Sequence, residues 1–277
     1  MTTIGTFSEA QHEQFMEEGF LRLGKVLTVD AFRALQRRMD DIMLGSVSYE
    51  NMRFQFFDSC SGKVRRTVGN ESNFLDFRRI DDLEQDPVFL AYIQHPLYRQ
   101  ITRRYIGAEV SVFRSMFMNK PAGHGSAEQG TDLVWHQDVG EGWGIDTNPF
   151  VTVWIALDDA TVANGCMQIV PGSHKHGVIN KGHFPSAEEQ TRFIAPGDIS
   201  DLEADSGEAI LLHNLLLHRS GVNPSPARRR AFSVTYMDAA TRTLDSGMDF
   251  PIVFGSNALE PETVPGKAVD RIGKFYG

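Results

Sequence analysis

At Val110 the residue pattern of this chain changes period, and that change restricts the fold more than any single motif does. Before it, apolar residues recur at helical intervals. Ser8 to Gln11 has the form of a capping box opening a helix that Gly19 ends, and Phe32, Leu35, Met39 and Ile42 mark one face of a helix over 30–43. The Asp86-Pro87 pair starts the first of two further helices, 87–93 and 97–106, the second stopping at Gly107. Within this part only Phe20 to Leu23 alternates like a strand. After the change, strand-like runs over 110–119, 151–157, 167–170, 209–213 and 231–237 are separated by turn residues. Helices first and many short strands afterwards predict a mainly β protein, an antiparallel jelly roll with flanking helices. No repeat or Pro/Gly/Ser-rich linker divides the chain. The expectation is one domain over 1–277, with a mainly helical part (1–109), a jelly-roll core (110–240) and a C-terminal extension (241–277). Two irregular stretches, 46–73 and 175–198, are expected to form the mouth and lid of a cavity.

Two histidines and an aspartate stand out against that background. His136 and Asp138 lie in Val134-Trp135-His136-Gln137-Asp138, and His218 follows eighty-two residues after His136. On extended backbone, residues i and i+2 point the same way, so His136 and Asp138 can reach one ion. Two imidazoles and one carboxylate on one face of a metal leave three positions open, a donor set suited to non-haem Fe(II) that must bind a co-substrate and O2 together. His213 competes with His218, since both lie in the run 211–218; only His218 precedes a Ser-Gly-x-Asn turn, and His213 is expected to be packed or to lie behind the ligands. His174 and His176, after a Pro-Gly-Ser turn, are expected at the entrance or surface, while His12, His95, His124 and His183 belong to no constellation. A strand opening with Arg228, Arg229 and Arg230 follows the turn. Alternation sends Arg228 and Arg230 to one face and Arg229 to the other, beside Ala231 and Ser233, where small neighbours leave room for a carboxylate in the guanidinium fork.

The ordered set of His136-Gln137-Asp138, Asn164-Gly165-Cys166, Pro171-Gly172-Ser173-His174 and His218-x-Ser-Gly-x-Asn223, with an arginine eleven residues past His218, resembles the phytanoyl-CoA dioxygenase family over roughly 15–238. The resemblance implies a double-stranded β-helix, cupin-like core and a catalytic Fe(II) held by His136, Asp138 and His218. It further implies 2-oxoglutarate as co-substrate, its far carboxylate paired with Arg229, and O2 as oxidant. By family spacing, Trp154 matches a tryptophan eighteen residues past the first ligand, Met116 and Ser220 match residues lining the 2-oxoglutarate pocket, and Arg79 stands where relatives carry a lysine contacting the co-substrate. The implied reaction is hydroxylation of an unactivated C–H bond with release of succinate and CO2. Halogenating relatives replace the carboxylate by a small residue, so Asp138 favours hydroxylation, although desaturation, ring closure and endoperoxide formation use the same ligands. Two other readings stay open: a cupin-type metal-dependent oxygenase or isomerase that does not use 2-oxoglutarate, against which Arg229 counts, and a non-catalytic jelly-roll binding protein, whose expected damaged ligand set is absent.

Charge and composition bear on partners. A formal charge of -9, with arginine pairs short and scattered, speaks against nucleic acid and against a bulky polyanion such as an acyl-CoA. A small metabolite or natural-product intermediate is the expected substrate, with Arg65 and Arg66 available to meet a carboxylate or phosphonate. Cys60 and Cys166 form no metal or redox motif, no run has the apolar length of a membrane helix, and the N-terminus has no basic-then-apolar leader pattern, so a cytoplasmic enzyme is expected. The sequence carries no signal of oligomeric state.

Overall fold

The computed structural model describes residues 5–58, 63–69, 77–123, 132–262 and 264. Cys60, His124 and the end of the C-terminal extension lie outside them. The helices form where local signals are strongest. In α1 (Glu9–Glu18) Ser8 and Gln11 make the reciprocal capping box, and Gly19 closes the helix at φ 78°, a left-handed conformation that glycine adopts without strain. Thr28 caps α2 (Val29–Met43), and Asp86 caps α3 (Pro87–Ile93) by accepting from the amides of Val88 and Phe89. Helix α4 (Pro96–Tyr105) follows, and α5 (Ala187–Phe193) is a separate short helix opened by a capping box at Ser186.

The strands are β1 (Phe20–Gly24), β2 (Arg53–Asp58), β3 (Lys63–Val68), β4 (Phe77–Asp81), β5 (Val110–Lys120), β6 (Leu133–His136), β7 (Val151–Ala156), β8 (Met167–Ile169), β9 (Ser200–Leu202), β10 (Ala209–His213), β11 (His218–Ser220), β12 (Arg229–Asp238) and β13 (Ile252–Phe254). They make two antiparallel sheets. The larger runs β1-β10-β7-β12-β5-β4-β2-β3, with β13 also on β5; the smaller runs β6-β11-β8-β9. This is the jelly roll expected from the strand-like runs.

Period-2 alternation divides the large sheet into two unlike faces. Val153, Ile155, Phe232, Val234 and Tyr236 pack with Phe89, Leu90, Tyr92 and Tyr98 of α3 and α4 in the main core. Their alternates Trp154, Ala156 and Ala231 point the other way and join Met167 and Ile169 of the small sheet in a second core. Strand β12 therefore seals against helices with one set of residues and faces the inter-sheet space with the other. A buried ion pair, Arg38 Nε to Asp86 at 3.4 Å with both side chains withdrawn from water, ties α2 to the start of α3.

Three expectations need correcting. The stretch 46–73 is not wholly irregular: β2 and β3 form a hairpin at the edge of the large sheet, and β4 connects it to β5. The doubled Phe56-Phe57 breaks the alternation there, which hid the strand. The part before Val110 thus contributes four strands, β1 to β4, as well as helices. His174 is buried rather than at an entrance; its Nε2 lies 3.0 Å from the Met16 carbonyl, under the bend at Gly19. Among the described residues no helix is long and apolar enough to cross a membrane.

Candidate active site

Strands β6 and β11 pair antiparallel with His136 directly opposite His218, so backbone register alone sets two imidazoles side by side, ring centroids 4.0 Å apart. Each Nδ1 lies against the carbonyl two residues back: Val134 at 2.8 Å for His136, Leu216 at 2.9 Å for His218. A carbonyl can only accept, so Nδ1 carries the hydrogen in both rings and Nε2 keeps its lone pair. Those Nε2 atoms stand 3.8 and 3.7 Å from the two carboxylate oxygens of Asp138. The intervening Gln137, just past the end of β6, turns away from the ligands and is fully engaged: it donates to the carbonyls of Gly177 and Leu215 and accepts from the amide of Ile179. Asp138 itself is clamped by Asn214, whose carbonyl accepts from the Asp138 amide at 2.7 Å and whose side chain donates back to the Asp138 carbonyl.

Burial drives the His136 imidazole down to a pKa of about 3, with His218 adding to the effect. Burial acts to raise the Asp138 carboxyl, but the surrounding imidazoles of His218 and His136 outweigh it and leave it below the ordinary value. A neutral His136 imidazole and an ionised Asp138 carboxylate are the protonation states that bind a metal. His183, which the sequence placed in no constellation, also arrives here. Its ring is 5.0 Å from that of His136, and ligand atoms of His136, Asp138 and His183 all fall within 4.8 Å of one another. Nothing in the residues around His183 announces this; the segment ahead of α5 delivers it from outside the sheets, and α5 itself makes the stretch 175–198 less irregular than expected. His213 sits elsewhere, packed among Phe15, Phe150 and His174, with burial lowering its pKa to about 4.

The cavity that contains His136 and Asp138 extends between the sheets to Arg229. Arg229 is 3% exposed, its Nε has no hydrogen-bond partner among the described residues, and burial pulls its pKa to about 10, so it is still a cation at neutral pH. Its guanidinium lies 5.5 Å from the centre of the Trp154 ring; Trp154 supports it from beneath and is not part of the cavity wall. Arg230 leaves by the other face and is held by Asp158 and Asp40, and Arg228 is exposed. Directly opposite Arg229 in the β5–β12 ladder stands Lys120, whose ammonium donates to the carbonyls of Ser220 and Gly221. Burial, then the charge of Arg229, lowers its pKa to about 7. Met116 and Ser220 line the same cavity. So does Arg79, but its guanidinium is occupied by Asp81 at 2.5 Å. Lys120 was missed although it was findable: Arg114, Met116, Met118 and Lys120 share one strand face by simple alternation. Arg65, by contrast, lies 5.2 Å over Phe56 on the edge hairpin and is not a cavity residue. Cys166 is buried, and burial raises its thiol pKa to about 11.

The turn motifs around these residues are structural. Gly165 has φ 77°, and a Cβ there would lie 2.5 Å from the Val222 carbonyl, so the 164–166 turn packs backbone to backbone on the loop after β11. Fully buried Asn223 donates to the carbonyls of Lys120 and Ala227. Together they fix the path between His218 and Arg229.

Comparison with known proteins finds relatives over most of the chain. The model of the family described as phytanoyl-CoA dioxygenase (PhyH) matches residues 15–231. A protein of Oryza sativa subsp. japonica named phytanoyl-CoA dioxygenase 1 is 28% identical over 278 residues, covering 86% of this chain and 92% of its own. A Stutzerimonas stutzeri protein named probable alpha-ketoglutarate-dependent hypophosphite dioxygenase is 26% identical over 247 residues, covering 84% of this chain and 79% of its own. In fold, the chain is similar to EctD from S. alaskensis, solved with 2-oxoglutarate and 5-hydroxyectoine, at a TM-score of 0.66 and 20% identity, covering 94% of this chain and 87% of that one. The chain belongs to the phytanoyl-CoA dioxygenase family, and is an Fe(II)/2-oxoglutarate-dependent oxygenase.

Proposed function

We propose that this oxygenase hydroxylates a C–H bond of a small molecule, with His136, Asp138 and His218 holding the iron and Arg229 binding the far carboxylate of 2-oxoglutarate. One observation carries the reading: the Nε2 atoms of His136 and His218 face the Asp138 carboxylate at 3.7–3.8 Å, and His136 and Asp138 line the same cavity as the buried Arg229 guanidinium, whose Nε lacks a partner among the described residues. An unpaired buried cation is costly unless an anion completes it. A dicarboxylic 2-oxo acid, chelating at one end and charged at the other, fits both ends at once. When bound, the iron supplies the coupling of O2 and 2-oxoglutarate to substrate oxidation, giving succinate, CO2 and an alcohol.

The protein's own residues do the rest. The carbonyls of Val134 and Leu216 hold both Nε2 lone pairs towards the metal, and Gln137 and Asn214 keep Asp138 in place. Arg229, levelled by Trp154 and faced across the ladder by Lys120, sets the co-substrate's direction. Met116 and Ser220 wall its path and exclude water, and Arg79 contributes charge while remaining tied to Asp81.

The position of His183 raises a second ligand set, His136, Asp138 and His183. His218 is favoured because a strand fixes it opposite His136. A fourth protein ligand would also leave an octahedral metal too few positions for a bidentate co-substrate and O2. Anaerobic Fe(II) titration of variants separates the two. His218→Ala is expected to lose specific iron binding, whereas His213→Ala and His183→Ala retain it. Retention in His218→Ala with loss in His183→Ala would replace His218 by His183.

A further inference from the structure

The cavity face of β5 carries a cation at each end. Lys120 stands beside Arg229, and Arg114 stands six residues back along the strand, about 20 Å away at β-strand rise. Only the Arg229 end is taken up by the proposed co-substrate. Arg114 borders the same cavity at the level of Asp138, whose charge it feels, yet it makes no hydrogen bond or ion pair with any described residue. The other cavity-wall arginines on the neighbouring strand do have partners: Arg79 binds Asp81 and Arg78 donates to Gln55. Arg114 instead rests on aromatic surface, its guanidinium carbon 4.7 Å from the centre of the Phe113 ring and 4.7 Å from that of Trp143, two rings that are themselves stacked. Contacts of that kind hold a guanidinium by its face and leave its N–H edges free to donate, the geometry that receives an oxyanion through two parallel hydrogen bonds.

A path leads from Arg114 to the metal ligands. Trp143 contacts His183 with centroids 5.5 Å apart, and His183 contacts His136 at 5.0 Å. An apolar segment attached to an anion on Arg114 would lie along this aromatic wall with its far end towards His136. We propose that Arg114 binds an oxyanion, a carboxylate, phosphate or phosphonate, carried by the primary substrate, and so selects compact anionic molecules for oxidation. This rests on the functional reading above, which assigns the other cationic end to 2-oxoglutarate.

The test uses the full chain loaded anaerobically with Ni(II), which binds without turnover, and with 2-oxoglutarate. Calorimetric titrations are then run with butanoate, propylphosphonate and the neutral butanamide. Wild type is expected to bind at least one of the two anions at least about tenfold more tightly than the amide, a difference of about 1.4 kcal/mol, and the better of the two identifies the oxyanion. Arg114→Gln should bring that anion to the level of the amide while Ni(II) and 2-oxoglutarate uptake stay intact, and Arg114→Lys should keep part of the preference. The assignment is overturned if wild type shows no anion preference, if the preference survives in Arg114→Gln, or if the anion displaces 2-oxoglutarate, which would seat it on Arg229. A wild type that takes up neither Ni(II) nor 2-oxoglutarate overturns the functional reading itself, and the Arg114 assignment with it.

Discussion

The two faces of β12 differ in what they spend their residues on. On the helix side Phe232, Val234 and Tyr236 are wholly buried, Phe232 meeting Phe89 at 4.8 Å and Tyr92 at 5.6 Å between ring centroids. That face holds the sheet to the helices. On the cavity side Arg229, Ala231, Ser233 and Thr235 are just as inaccessible, but the first is a charge with an unsatisfied Nε and the next two are small. Burial by itself therefore says nothing about role. The helix face is satisfied by its own neighbours, and on the other face Ala231 packs in the second core and Thr235 bonds Thr152, which leaves the Arg229 Nε without a partner among the described residues.

Substitutions on the two faces should separate stability from binding. The largest loss of stability is expected for Phe232→Ala, about 3–5 kcal/mol from lost transfer energy and the cavity left behind, read as a lowered thermal or denaturant midpoint. Iron and 2-oxoglutarate uptake by the fraction that folds should persist. Arg230→Ala comes next, at about 3 kcal/mol, because it strands Asp158 and Asp40 in a partly buried ion-pair network. Its affinity for 2-oxoglutarate should stay near wild type, and a large loss of that affinity would mean that the two faces are not separable. Arg228→Ala should change either quantity least, within about 0.5 kcal/mol, since its side chain is 56% exposed and only 3.7 Å from Asp158. Three adjacent arginines are thus expected to give three different phenotypes, set by the face each occupies.

Much of this was legible beforehand where the signal is local. Caps at Ser8, Gly19 and Asp86 mark helix ends through hydrogen bonds made within a few residues, and β5, β7, β10 and β12 are long enough to show as alternating or continuous apolar runs. Strands β9, β11 and β13 have three residues each, too short to carry a period, and exist because partners pair with them; β8, equally short, shows only because turn residues bracket it. The same distinction runs through the site. His136, Asp138, His218 and Arg229 are found from spacing and turn context. His183 reaches the site by a loop whose course no local pattern encodes, and its φ of 79° is one that a non-glycine residue adopts only when held by its surroundings. Net charge does not describe the cavity. A total of -9 sums the whole surface, while the cavity wall gathers Arg78, Arg114, Lys120 and Arg229.

The central claim is that Arg229 is an unfinished ion pair awaiting 2-oxoglutarate, and one titration tests it most directly. Anaerobic, Fe(II)-loaded wild type and Arg229→Ala are each titrated with 2-oxoglutarate, with iron affinity measured in parallel. Wild type should bind, and the variant should bind about 30-fold to several thousand-fold more weakly, the consequence of removing one member of a buried charge pair worth about 2–5 kcal/mol, while iron affinity is unchanged. Equal 2-oxoglutarate affinity in the two proteins would contradict the account, because the buried guanidinium would then serve some other anion.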